Sequence, residues 1–98
     1  MLYGRVATIE GRPDKIEKGV SRFRDQAIPL IQSAEGFAGA LMLVDREEGR
    51  ALGITIWDSA EHREATDVAM AAIRAGAGDV MGGVPDVKLY DVPIYIKE

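Results

Sequence analysis

Cysteine is absent from this 98-residue chain. That absence excludes disulfides, thiolate nucleophiles, cysteine-ligated zinc and iron–sulfur clusters. Histidine is nearly absent too: His62 is the only one, and it has no second ligand-type neighbour at metal-binding spacing, so no metal site is expected. Aromatic residues are scarce, with one tryptophan, three tyrosines and two phenylalanines. Positive charge is outnumbered, 12 Lys and Arg against 16 Asp and Glu, for a formal net charge of −4. This argues against nucleic acid, which needs basic patches to displace counterions, and leaves no polybasic handle for anionic membranes. No apolar run approaches the roughly 18–20 residues that span a bilayer. The opening MLYGRVATIE has no basic segment followed by an apolar one, so the expected location is cytoplasmic. No phosphate loop, nucleophile elbow or metal-binding motif is present.

What remains is an ordinary globular composition, 47% hydrophobic and 29% charged, of a length that makes residues 1–98 a single domain. A domain this short buries only about 60–65% of its unfolded surface, so its core is thin and association with a second copy is a common remedy. Leu2–Glu10 reads as a first strand. A first helix is expected over about Asp14–Ser33, with Pro13 at its start and an apolar stripe of Ile16, Val20, Phe23, Ala27 and Leu30 or Ile31. Pro29 should kink its last turns because it removes a backbone donor.

The stretch Gly36–Asp58, GFAGALMLVDREEGRALGITIWD, carries the most information. It reads as strands over about Gly39–Asp45 and Ala51–Asp58, joined by a turn at Arg46–Gly49 where Gly49 takes positive φ. Both strands are apolar on both faces, whereas a sheet solvated on one side alternates. Helices cover one face, and covering the other implies a partner subunit. A second helix should follow from about Ala60 to Ala75, fading towards Met81 through Gly76, Gly78, Gly82 and Gly83, which marks the expected mobile segment. Asp58 or Ser59 caps it, with Glu61 at capping-box spacing from Asp58. Ala65, Ala69 and Ala72 form a small-residue side suited to close packing on a sheet. A last strand is expected over about Val87–Ile96, with Pro93 at an edge or crossing between subunits. The order β-α-β-β-α-β is the ferredoxin-like pattern: an α+β fold, an antiparallel sheet with two helices on one face.

Gly36-Phe37 before the second strand and Trp57-Asp58-Ser59 opening the second helix resemble the antibiotic-biosynthesis-monooxygenase-like domains of the dimeric α/β-barrel superfamily. The similarity covers nearly the whole chain, and it is closest to small members of unassigned function. It implies a homodimer with two sheets face to face and a ligand cleft between a subunit's own sheet and helices. The superfamily spans cofactor-free oxygenases, quinol oxygenases, haem-degrading enzymes and non-oxygenases, so fold leaves function open. The asparagine, tryptophan and histidine of haem-degrading relatives fall near Gly4, Thr66 and Gly76, and none fits.

Each candidate residue carries two readings. Trp57 offers a flat surface for an aromatic ligand, or packs at the end of its strand. His62 is the one side chain with an ordinary pKa near neutrality and the candidate general base; alternatively it is solvent-exposed in a first helical turn. Arg5, mid-strand among apolar residues, must be paired or face a polar cavity, where it would bind a carboxylate or enolate; the alternative is a structural ion pair. Arg74 carries a weaker form of that argument, and Tyr3 could line a cleft. The expected set is therefore His62 and Arg5 as catalytic residues, with Trp57, Tyr3, Thr55 and Arg74 binding substrate, without metal or cofactor. The reading is a cofactor-independent monooxygenase of a small aromatic or quinol-like molecule. The alternative is a non-catalytic homodimer that binds a small apolar ligand.

Overall fold

A computed structural model describes residues 1–97. Four antiparallel strands lie in the order β2-β3-β1-β4, with β1 at Leu2–Glu10, β2 at Phe37–Asp45, β3 at Arg50–Trp57 and β4 at Asp86–Val92. The hairpin expected from the sequence is β2–β3, and it pairs through β3 onto β1. The architecture is thus the α+β ferredoxin-like sheet. Asp45 Oδ1 accepts from the Glu47 and Glu48 N–H groups at 3.1 Å, and Gly49 closes the turn at φ +74, a left-handed conformation natural to glycine.

Between β1 and β2 the helical stretch departs from regularity. A 3-10 turn at Pro13–Lys15 leads into α1 (Ile16–Arg22), then a π-helical turn at Phe23–Ala27 and α2 (Ile28–Gln32). The expected effect of Pro29 therefore lies one turn upstream of it. Pro29 cannot donate to residue 25, and its ring crowds that carbonyl. The wider turn, in which the Ile28 N–H bonds the Phe23 carbonyl, absorbs both constraints.

After β3 come α3 (Ala60–Ala65) and α4 (Asp67–Met81). Ser59 is the cap: its hydroxyl accepts from the His62 N–H at 3.1 Å, so residue 62, not Glu61, holds the third helical position. The break at Thr66 divides what reads in sequence as one helix. The Thr66 side chain donates to the Arg63 carbonyl at 3.0 Å, a local competitor for helix bonds. The glycine-rich end expected to fade is instead helical to Met81. Gly78 lies where a side chain would meet Pro85 and the Gly83 carbonyl, and Gly82 at φ +79 turns the chain so that the Gly82 and Gly83 N–H groups bond the Gly78 carbonyl. This is a left-handed C-terminal closure.

The buried side of α3–α4 also differs from expectation. Ala65, Ala69 and Ala72 are exposed, while Arg63, Thr66, Met70, Gly78 and Met81 are buried, with Ile73 and Ala77 partly so. Those positions recur at three and four. Two core clusters result: Ile9, Ile16, Ala51 and Met81 at one end, and Ala27, Ile31, Trp57 and Met70 at the other.

The last strand stops at Val92, before Pro93, and β4 is an edge, the position where a missing donor costs least. Beyond it, Tyr95 reaches the far edge, with its hydroxyl 2.5 Å from where a Cβ on Gly39 would stand. The sheet face away from the helices carries Val6, Ile54 and Leu41 in one cross-strand row and Leu52 and Leu43 in the next. Leu41 is 43% exposed, Leu43 49% and Tyr90 53%. Among the described residues, no helix is long and apolar enough to cross a membrane.

Candidate functional site

Between the two core clusters lies a cavity roofed by helices and floored by the sheet. Its walls are apolar, with Phe23, Met42, Met70, Ile73 and Met81 among them, and its polar lining is Arg5, Thr55 and Arg74. The room open to the centre of a water molecule is about 60 Å³. One water needs roughly 10–15 Å³ of such space, and a dry cavity that holds benzene measures about 150 Å³, so the room as it stands matches a few waters, and a ring enters only as the flexible methionine walls give way. Two lining glycines let neighbouring side chains come in close. A Cβ on Gly53 would stand 3.1 Å from Phe23, and one on Gly19 would strike the Met81 sulfur. Phe23 and Met81 thus fill space that two missing side chains leave, and methionine readily changes shape.

Arg5 is buried to 3% exposure on the inner face of β1. Its Nη2 donates to the Arg63 carbonyl at 2.6 Å and its Nη1 to Thr66 Oγ1 at 3.4 Å. The helix break at Thr66 therefore supplies the carbonyl that holds Arg5. Asp67 bridges Arg5 at 3.5 Å and Arg74 at 3.7 Å, yet Asp67 is itself 61% exposed. Arg63 is buried as well, donating to the Gly4 carbonyl at 3.1 Å and standing over the Tyr3 ring. Burial pushes the Arg5 pKa below its ordinary value; Asp67 works against that, and the charges of Arg74 and Arg63 add to it. Arginine stays protonated nonetheless, so the site holds an excess of buried positive charge. Arg5 Nε, Arg63 Nε and Arg74 Nη1 are buried with no hydrogen-bond acceptor.

The structure brings Arg5, Thr55 and Arg74 into one cavity; Trp57, Tyr3 and His62 are not among its lining residues. Trp57 is fully buried, edge-on to Phe37 at 5.8 Å between ring centres, and donates from Nε1 to Thr55 Oγ1 at 2.9 Å. It orients a lining hydroxyl from behind the wall. Arg63, Thr66 and Asp67 are the neighbours that sequence reasoning missed. Their signal was the three-and-four recurrence of Arg63, Thr66 and Met70, hidden because two of the three positions are polar.

His62 sits outside, with Nδ1 2.6 Å from Asp58 Oδ1 and Nε2 3.6 Å from Glu35. Its pKa is raised, chiefly by the Asp58 hydrogen bond; desolvation opposes this, and the charges of Asp58, Glu35 and Glu61 add to it. A raised histidine stabilises the fold fully below its ordinary value of 6.5 and loses that contribution as pH rises through the folded value. In urea titrations the wild type should therefore exceed His62→Gln in stability at about pH 5 and match it at about pH 9. An equal difference at both pH values would show that the pair contributes nothing ionic. Among the described residues, no group of three or more His, Cys, Asp or Glu side chains is gathered that could hold a metal.

No family model matches the chain. A Caulobacter crescentus structure assigned as an antibiotic biosynthesis monooxygenase superposes with a TM-score of 0.75 at 22% identity, covering 93% of this chain and 89% of the other. A Streptomyces coelicolor monooxygenase in complex with the ligand nanaomycin D superposes at 0.77 and 17% identity, covering 98% and 91%. The chain has the antibiotic biosynthesis monooxygenase fold. SnoaB, a cofactor-independent oxygenase of Streptomyces nogalater, shares the fold at 0.68 and 14% identity, covering 99% and 98%. In sequence, the chain is 30% identical over 92 residues to the uncharacterized protein Rv2557 of Mycobacterium tuberculosis, matching 94% of this chain. It spans 41% of the length of that relative.

Proposed function

We propose that this chain is a cofactor-independent oxygenase of a small, single-ring aromatic or quinol-like molecule held between sheet and helices. The observation that carries the reading is the apolar cavity with arginines at its polar end, on a fold shared with oxygenases. Oxygen reacts directly with an electron-rich phenolate or carbanion. The protein's tasks are then to exclude water and to balance the anion's charge. Phe23, Met42, Met70 and Ile73 supply the dry walls; Arg5 and Arg74 supply the positive charge, and Thr55 a hydroxyl fixed by Trp57. His62 has no part in this chemistry. The test is oxygen uptake with a panel of single-ring quinols and phenols. Saturable uptake lost in Arg74→Gln supports the reading, and no uptake across the panel removes it.

One observation favours a second reading, a small-ligand-binding protein without catalysis: the cavity lining contains no histidine, carboxylate or tyrosine, hence no ordinary acid–base group. A ligand that binds tightly and is recovered unchanged would decide for it. A cytoplasmic location belongs to either proposal.

The proposed assembly is a homodimer through the open sheet face. Leu41, Leu43, Leu52 and Ile54 share that face, and an exposed apolar patch rimmed by polar residues marks an interaction surface. A two-fold dimer sets this face against the same face of its copy, residue i of one meeting j of the other and the reverse. Leu43→Lys puts two like charges into that contact, and sedimentation should show a monomer where the wild type is a dimer. A dimer unaffected by this change excludes the face.

A further inference from the structure

Buried hydrogen-bond donors are almost always paired, and buried charge is paired or it is costly. One end of this cavity is short of protein acceptors and of close negative charge. Arg5 and Arg74 both line it, and Arg5 Nε and Arg74 Nη1 have no acceptor. Arg63 adds a third buried guanidinium nearby. The carboxylate facing Arg5 and Arg74 is Asp67, which stands 3.5 and 3.7 Å from them and is mostly solvated. A solvated carboxylate at such distances is a loose counter-ion, because charge-assisted hydrogen bonds close to about 2.7–2.9 Å when they form well.

We infer that the polar end of the cavity is an anion subsite: it takes the negatively charged oxygen of a single-ring aromatic anion on Arg5 and Arg74, with Asp67 as the counter-ion that the ligand displaces. The inference rests on the cavity being the ligand site proposed above and names the charge state of what enters it. A ring seats against Phe23, Met42 and Met70 once the methionine walls give way, since the room of about 60 Å³ holds a few waters as it stands. The two free N–H groups then meet an oxyanion, the shared chemistry of a phenolate and a carboxylate. The oxygen of a neutral phenol also accepts from them, but it brings no charge to offset the guanidiniums and forgoes the ionic part of the bond. The site therefore selects ionised over neutral ligand, and a phenol that enters it gives up its proton more readily than in water.

The probe is 4-nitrophenol, whose ionised form is yellow. Titrated into the 98-residue chain across pH, it should ionise at least one unit lower when bound than when free, which is about a tenfold preference for the anion. Arg74→Gln should remove most of that shift, and Asp67→Asn, which deletes the competing counter-ion, should enlarge it. Benzoate is the second arm. Displacement of nitrophenolate by benzoate shows that carboxylates use the subsite, and failure to displace it restricts the subsite to phenolates; either result requires that nitrophenolate bound with a lowered pKa. Binding with an unshifted or raised ionisation overturns the inference, as does no binding, or a shift that both variants leave unchanged. Oxygen consumption is measured separately. A lowered nitrophenol pKa without uptake of oxygen by any quinol keeps the anion subsite and removes the oxygenase reading.

Discussion

Trp57→Ala should cost about 3–5 kcal/mol of folding stability, the range for deleting a large buried aromatic side chain. Domains of this kind hold only about 5–15 kcal/mol in total, so the variant should be half unfolded in urea well below the wild-type midpoint. Three losses combine. The indole is fully buried among Ala27, Ile31 and Met70, and its removal opens a void that α2 and α4 close only in part. The edge-on contact with Phe37 disappears, a pair worth about 0.5–1.5 kcal/mol beyond its area. Thr55 Oγ1 loses the donor that orients it. Urea midpoints at an unchanged m-value measure the effect. A shift below about 1 kcal/mol, with ligand binding abolished, would reverse the assignment and make Trp57 a ligand platform instead of a core residue.

Arg5→Met should do the opposite: the fold survives while affinity for an anionic ligand falls by about 30-fold or more, the lower end of what removing a buried charge partner costs. Stability should stay about level, because the carboxylate that loses its partner, Asp67, is solvated and is not left as a buried unpaired charge. The local bonding permits this. With Arg5 gone, the Arg63 carbonyl still accepts from Thr66 Oγ1 at 3.0 Å. Asp67, already exposed, keeps its contact with Arg74, and no buried carboxylate is left unpaired. A thioether there extends the apolar wall that Ala27 and Met70 already form in the same cavity. Chemical denaturation and the nitrophenol titration on the same sample separate the two effects. An unfolded Arg5→Met would show instead that the guanidinium is a structural strut between β1 and the α3–α4 break.

These two residues also mark how far the sequence can be read. The place of Trp57 at the end of β3 is legible, but its depth depends on α2 and α4 closing over it, which no local pattern records. Arg5 is legible as an anomaly, a charge within an apolar strand that needs a partner. Its partner is not legible, because it is a main-chain carbonyl freed where α3 gives way to α4. The helix face is misjudged for a related reason. A search for apolar recurrence passes over Arg63 and Thr66 and settles on Ala65, Ala69 and Ala72, which face solvent. The glycine-rich end of α4 looks weak by propensity, yet close packing of Gly78 on Pro85 and the Gly83 carbonyl holds it; tertiary contact overrides propensity of about 1 kcal/mol per residue.

Strand and helix order, the turn at Gly49 and the two apolar faces of the β2–β3 hairpin were determined by the sequence alone, since each depends on periodicities of two or 3.6 and on turn residues acting over a few positions. The tertiary structure alone decided which side chains meet: Arg5, Thr55 and Arg74 around one cavity, Trp57 behind its wall and His62 outside it. Those contacts join residues far apart in the chain, as Arg5 joins Thr66 across 61 positions, and they are set by packing angles and by a helix break that Thr66 and Arg5 make together.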